Sequence, residues 1–176
     1  GILLALLINR KGLKGKKIFR AIFVLTIAIP QFVSLLAMRN LIGEYGPMQK
    51  ILMDIGILSE PMSFLANATN VWTARIAIIL INLWVGIPYS MLLASGAIMN
   101  IPESLYEAAR IDGAKKFTIL RKITMPYIVF ITTPYLISSF VGNITSFNII
   151  YLLTNGNPKV TGGYIAGGTD LLVTWL

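Results

Sequence analysis

Residues 76–102 read IAIILINLWVGIPYSMLLASGAIMNIP, 27 consecutive residues without a charge. An α-helix rises about 1.5 Å per residue, and about 20 apolar residues cross a hydrocarbon core of about 30 Å. The stretch therefore predicts one membrane-spanning helix with some margin. The rest of the chain fits the same solvent. Its 176 residues are 56% hydrophobic and 12% charged, with a mean hydropathy of +0.75. A soluble domain carries about 25% charged residues, so this much apolar surface has to meet lipid. The fold class expected is all-α: a polytopic transmembrane helical bundle, with residues 1–176 forming part of a single transmembrane domain.

Two more stretches flank the first. Ala21–Met38 is uncharged and long enough to span, and residues 123–158 are uncharged over 36 positions. That second run would be about 54 Å of helix, more than one core thickness. It predicts a span plus an outer apolar segment, or a helix broken in the membrane at Pro134, Gly142 or Asn143. Ile2–Ile8 reads as the end of a helix. The predicted spans are about 1–9 (partial), 18–39, 74–99 and 124–153. Residues 169–176 are too short to assign, and the chain, starting and stopping inside apolar runs, reads as part of a longer one. A short surface helix is expected over Met48–Leu58, bounded by Gly46-Pro47 and by Ser59-Glu60-Pro61.

Charge sets the orientation. Arg10, Lys11, Lys14, Lys16, Lys17 and Arg20 follow the first apolar run with no acid among them, and residues 103–122 hold five more of the 15 basic residues. By the positive-inside rule both stretches are cytoplasmic, and residues 40–72 and 155–170 lie outside. A basic cluster of this kind could bind nucleic acid in a soluble protein. Between two apolar runs it reads as a topology signal facing anionic lipid, and no nucleic-acid partner is expected. Arg75, at the start of a span, is expected to snorkel to the outer interface rather than to hold an anionic substrate.

Several chemistries are excluded. The chain has no Cys and no His, so disulfides, thiol catalysis, Cys/His metal sites and His-based triads are absent. No acid lies within a predicted span, which argues against a proton relay. Paired intramembrane carboxylates are likewise missing, which disfavours a membrane-embedded enzyme. No G-x-x-x-x-G-K-[ST] sequence occurs, so ATP chemistry is not expected in this chain.

The cytoplasmic loop 100–126 is richer than a connector. Pro102 suits a first helical turn, and Glu103 suits its positive end. Leu105, Ala108, Ala109 and Ile111 give a small apolar face, and Gly113 allows the helix to stop. A second helical stretch follows, and Pro126 is expected to open the next span. Together these make a compact knob able to enter a groove on a partner. The run Glu107-Ala108-Ala109, three residues, Gly113, nine residues, Ile123-Thr124-Met125-Pro126 resembles the EAA loop of ABC importer permeases, with only Met125 departing from the family's Leu. The resemblance implies a type I importer permease with a cytoplasmic coupling helix, docked in a cleft of an ATPase subunit through Glu107, Ala108, Ala109, Asp112 and Gly113. It also implies that ATP and Mg bind that partner and that this chain holds no cofactor or metal.

Asn82–Tyr89 (NLWVGIPY), Leu152–Gly156 (LLTNG) and Gly168–Val173 (GTDLLV) resemble the larger permease subunit of maltose/maltodextrin importers. This implies a multi-pass protein of the bacterial cytoplasmic (inner) membrane, with earlier spans before this chain and at least one after it. Its partners would be a second permease subunit in a heterodimer, two ATPase subunits, an extracellular or periplasmic sugar-binding protein, and lipid. A permease for another oligosaccharide, a glycerol-phosphate-type solute or a non-sugar cargo is the alternative.

Sugar chemistry selects candidates within the spans. Sugars present hydroxyl edges and C–H faces, which amides and aromatic rings match. Asn82, Gly86 and Tyr89 share one helix face by their spacing, Trp84 lies in the same span, and Asn143 and Ser146 share a face of a later one. Gln31, just after Pro30, is a further candidate. For Asn82 and Asn143 the competing role is helix–helix adhesion; for Trp84 and Tyr89 it is packing or an interfacial belt. The resemblance maps a sugar site onto Ile27, Gln31, Asn82, Val85, Gly86, Tyr89, Asn143 and Ser146. Of these, Ile27, Gln31, Val85 and Ser146 stand where the family pattern has Tyr, Ser, Leu and Asn.

Overall fold

The computed structural model describes residues 1–10, 12–66, 70–159 and 166–175. Lys11 of the basic cluster, parts of both outer stretches (67–69 and 160–165) and Leu176 lie outside the described residues. The chain folds as two compact units, Gly1–Ala28 with Gly86–Phe140 and Ile29–Val85 with Val141–Leu176.

The first unit holds α1 (Ile2–Ile8), α2 (Lys16–Ala28), the later part of α5 (Val71–Met99), α6 (Glu103–Ile111) and most of α7 (Lys116–Ile144). Ala5, Ile8, Met91, Ala94, Ala97 and Ile128 form its buried cluster. The alanines let backbones approach closely, which is how helices associate where lipid removes the hydrophobic drive. One end of α1 is fixed by polar bonds. Asn9 Nδ2 donates to Ser95 Oγ at 3.0 Å, and Arg20 Nη2 donates to Asn9 Oδ1 at 3.1 Å.

The second unit holds α3 (Gln31–Ile42), α4 (Pro47–Asp54), the early part of α5, the last turn of α7, α8 (Phe147–Leu153) and α9 (Leu172–Trp175). Leu35, Ile78, Ile81, Ile149, Ile150 and Leu153 form its core, and α3 packs on α8 and α4. The buried Gln49 ties α4 to the following loop. Its Oε1 accepts the Met62 N–H at 3.2 Å, and its Nε2 donates to the Met62 carbonyl. The surface helix expected over Met48–Leu58 is therefore present but ends earlier, at Asp54.

Two helices, α5 and α7, are each long and apolar enough to cross a membrane. The expected span at 18–39 is instead broken. Helix α2 stops at Ala28 and α3 restarts at Gln31, and Lys16–Ala28 meets the same test only together with Gln31–Asp54, across a bend of 95°. Pro30 is the cause: it disfavours helical geometry at Ile29, and its own ψ of 134° is extended. The expected span at 124–153 also differs. Helix α7 begins at Lys116, runs through Pro126 and Pro134 without stopping, and ends at Ile144. A wide π-type turn at Leu120–Thr124 precedes Pro126, whose ring would otherwise strike the Lys122 carbonyl. Ahead of Pro134, the hydroxyls of Thr132 and Thr133 donate to the carbonyls of Ile128 and Val129 at 2.8 and 2.6 Å, while the carbonyl that loses its helical partner to the proline is that of Phe130. The break lies at Ser146 rather than at Pro134, Gly142 or Asn143. There φ −77° and ψ 88°, with a Phe147 N–H to Thr145 O bond of 3.0 Å, make an inverse γ-type turn.

Beyond α8, the chain ties Leu152–Gly156 to Gly168–Val173. Thr154 and Thr169 are buried, with their hydroxyl oxygens 2.8 Å apart, and Thr169 Oγ1 donates to the Asn157 carbonyl at 2.6 Å. Arg75 Nε donates to the Gly168 carbonyl at 2.9 Å, and its guanidinium lies 5.1 Å from the Trp72 ring centre. The side chain expected to snorkel is thus held by a carbonyl and an aromatic face.

Candidate functional site

The knob is built on local rules. Pro102 precedes α6, Glu103 lies in its first turn and Arg110 in its last, each complementing the helix dipole. Gly113 adopts φ +75°. The Ala114 N–H reaches the Ala109 carbonyl at 2.9 Å and the Gly113 N–H reaches the Arg110 carbonyl at 3.0 Å, which is the Schellman pattern. The distance from Ala109 to Gly113 is thus the spacing that closes the helix. The Tyr106 hydroxyl lies 3.1 Å from Thr124 Oγ1 and anchors α6 to the start of α7.

The outer face of the knob faces solvent. Glu107, Ala108, Asp112 and Gly113 are exposed, Ala109 is half-buried, and Ile111 is 86% exposed. Leu105 and Phe117 are exposed as well. Among the described residues, no atom other than those of Gly113 and its chain neighbours lies within 4 Å of where a Gly113 Cβ would stand.

The polar candidates fall into two groups. In the second unit, Asn82 Nδ2 donates to Asn143 Oδ1 at 2.7 Å, joining α5 to the last turn of α7. Each amide offers both donors and acceptors, so the mutual bond orients the pair. In the first unit, Ser90 Oγ donates to the Gly86 carbonyl at 3.2 Å and lies 2.9 Å from the Tyr135 hydroxyl. The Tyr89 and Tyr135 rings pack with centres 5.0 Å apart, tilted by 56°. Sequence reasoning did not single out Ser90 or Tyr135. Ser90 lies one helical turn after Gly86, a spacing that could have marked it.

The remaining candidates are placed apart from these bonds. Val85 is half-buried and packs against the Leu35–Ile81–Ile150 core. Gln31 opens α3 and is exposed, and Ile27 is exposed on α2. Ser146 is half-buried at the head of α8, and its side chain makes no capping bond. Trp84 is exposed on α5. Among the described residues no group of three or more acidic, His or Cys side chains is placed to hold a metal ion.

Long apolar helices, a knob closed by a Schellman turn and an amide pair bonded between helices describe a helical membrane protein. Residues 1–169 match the family described as the binding-protein-dependent transport system inner membrane component, and the chain belongs to that family. It is 43% identical over 178 residues to the galactooligosaccharides transport system permease protein GanP of Bacillus subtilis, covering 100% of this chain and 41% of that protein. It is 37% identical over 182 residues to the maltodextrin permease MalC of Streptococcus pneumoniae, covering 100% and 41%. Against the maltose/maltodextrin permease MalF of Klebsiella aerogenes it is 39% identical over 181 residues, covering 99% and 34%. The chain thus spans about two fifths or less of the length of these relatives. Among solved structures it resembles a bacterial ABC transporter involved in the import of the acidic polysaccharide alginate, with a TM-score of 0.72 and 29% identity over 87% of this chain and 53% of the other. A second structure, of a bacterial alginate ABC transporter in complex with an alginate-pentasaccharide-bound periplasmic protein, gives a TM-score of 0.69 at 32% identity over 87% and 52%.

Proposed function

We propose that the chain is part of a permease subunit that forms half of the membrane pathway of an ABC importer for an oligosaccharide, of maltodextrin type. The observation that carries this reading is the knob: a helix closed by Gly113, with Glu107, Ala108 and Ile111 exposed on it. A surface of this kind suits a cleft on a second protein. Glu107 supplies an acceptor for a basic side chain there, and Ile111 supplies apolar area. The partners are a second permease subunit, two ATPase subunits that bind ATP and Mg, and an extracellular or periplasmic sugar-binding protein. The basic stretches face the cytoplasm of a bacterial cell.

The mechanism is alternating access. The loaded binding protein docks outside, the ATPase pair closes on ATP, and the knob carries that closure to α5 and α7 through the α6–α7 connection. Sugar passes to amide and aromatic groups along the spans, and hydrolysis resets the inward-facing state. The cycle requires ATP and binding protein to favour a state other than the resting one. Asn82, Asn143, Gly86 and Tyr89 are the sugar-contacting residues in this scheme, and Gln31, Val85 and Ser146 are the further candidates. Glu107, Ala108, Ala109, Asp112 and Gly113 form the ATPase contact.

Gly113→Trp tests it directly. The variant should insert normally but lose uptake and co-purify with less ATPase subunit; normal uptake would reject the docking role. The cargo has a second reading, a galactooligosaccharide, favoured by the 43% identity to the permease that bears that name. Competition of labelled maltodextrin uptake by unlabelled galactooligosaccharides separates the two.

A further inference from the structure

The second unit holds a cavity that the scheme above does not use. It has a volume of about 200 Å³ and is lined by Tyr151, Asn155, Gly156, Asp170, Thr174 and Trp175. Its polar wall is built and held in place. Asp170 Oδ2 accepts the Gly167 N–H at 2.7 Å, and Asp170 Oδ1 accepts the Thr174 hydroxyl at 3.0 Å. Gly156 has φ +80°, and a Cβ there would stand 2.4 Å from Asp170 Oδ1. Only glycine lets the carboxylate lie flat on that turn. Asn155 precedes it at φ 49°, a conformation Asn tolerates better than most residues. Behind the wall, the buried Thr154–Thr169 hydroxyl pair closes the turn.

The other wall is aromatic. Tyr151 is 52% exposed and Trp175 49% exposed. Phe147 stacks on Tyr151 with ring centres 5.0 Å apart and planes 17° from parallel. Phe147 directly follows Ser146, so the stack runs along α8 from the sugar candidates to the cavity.

We infer that this cavity is an outer saccharide subsite, taking one pyranose unit of a neutral oligosaccharide, with the Phe147–Tyr151 stack as its track toward Ser146. The proposal rests on the sugar reading above. The chemistry selects the ligand class. The Asp170 carboxylate, held by the Gly167 N–H and the Thr174 hydroxyl, and the Asn155 amide beside it meet the hydroxyl edge of a ring, while Tyr151 and Trp175 meet its C–H face. The volume lies below the roughly 300–1,000 Å³ of pockets for drug-sized ligands, which limits it to one ring. The Asp170 charge disfavours a uronate. A quaternary ammonium would use the rings and the charge but not the Asn155 amide.

The test uses the full chain with its partners in cells, and labelled neutral oligosaccharides from two to seven units. In Tyr151→Ala and Trp175→Ala the half-saturation concentration should rise with chain length, reaching about three- to tenfold for the longest, the scale of one aromatic contact. Tyr151→Phe, which keeps the ring, should lose less than Tyr151→Ala. Asn143→Ala should instead impair uptake at every length. Equal losses at all lengths in the Tyr151 and Trp175 variants, or no loss, overturn the subsite while leaving the sugar reading in place. Failure of the unsubstituted chain to take up any saccharide overturns both. In the purified complex, neutral oligosaccharide should change the part of the indole fluorescence that Trp175→Phe removes. A change elicited by choline but not by oligosaccharide overturns the subsite. Should Trp175→Ala fail to accumulate in the membrane, Tyr151→Ala, at an exposed position on α8, carries the uptake test alone.

Discussion

Gly113 and Gly156 have nearly the same backbone conformation, φ +75° and +80°, for different reasons. Gly113 closes a helix on an open surface, with no described atom beyond its chain neighbours within 4 Å of a would-be Cβ. Gly156 lies under the Asp170 carboxylate, which a Cβ would overlap at 2.4 Å. The first glycine borders open space among the described residues; the second makes room for a carboxylate of the same chain. A positive φ is therefore no guide to role until the surroundings are known.

Substitution by alanine separates the two. Gly156→Ala combines left-handed strain with overlap against Asp170, and should cost about 3 kcal/mol or more. The melting temperature of the solubilised full chain should fall steeply, and a shift as small as that of Gly113→Ala would contradict the close packing. Gly113→Ala meets no neighbour, so only the left-handed conformation is charged, about 1–2 kcal/mol. Gly113→Asn should recover part of that loss. If Gly113→Trp and Gly113→Asn impair uptake equally while membrane levels stay normal, backbone strain rather than docking explains the defect.

What was legible in the sequence follows the same division. Local signals carried well. The 27 uncharged residues gave α5, and the Pro102–Gly113 spacing gave α6 with its stop. Signals that depend on partners in space carried poorly. Pro134 suggested a break, but the helix continues through it to Ile144. Ser146 breaks it instead, through a turn with no proline or glycine to announce it. In the opposite case, Pro30 divides a stretch read as one span because no helix forms across Ile29. Of the site candidates, Asn82 and Asn143 are joined by a bond across 61 residues of sequence that no spacing rule could foresee. Ser90 and Tyr135 were overlooked for the same reason.

That amide pair gives the smallest effect and the sharpest question about the second unit. A polar bond between membrane helices is worth about 0.6 kcal/mol on average, because the separated helices find other partners. A double-mutant cycle of Asn82→Ala and Asn143→Ala, read from the melting temperature, should therefore show a coupling below about 1.7 kcal/mol. Adhesion alone would make uptake follow stability, so that both variants lose transport only in proportion to their unfolding. A sugar-contacting role makes the two readouts part: stability falls slightly, while sugar-stimulated ATP hydrolysis by the assembled complex falls severalfold. Full sugar stimulation in both variants would assign the pair to adhesion and move the contact to Gly86, Tyr89 and their neighbours in the other unit.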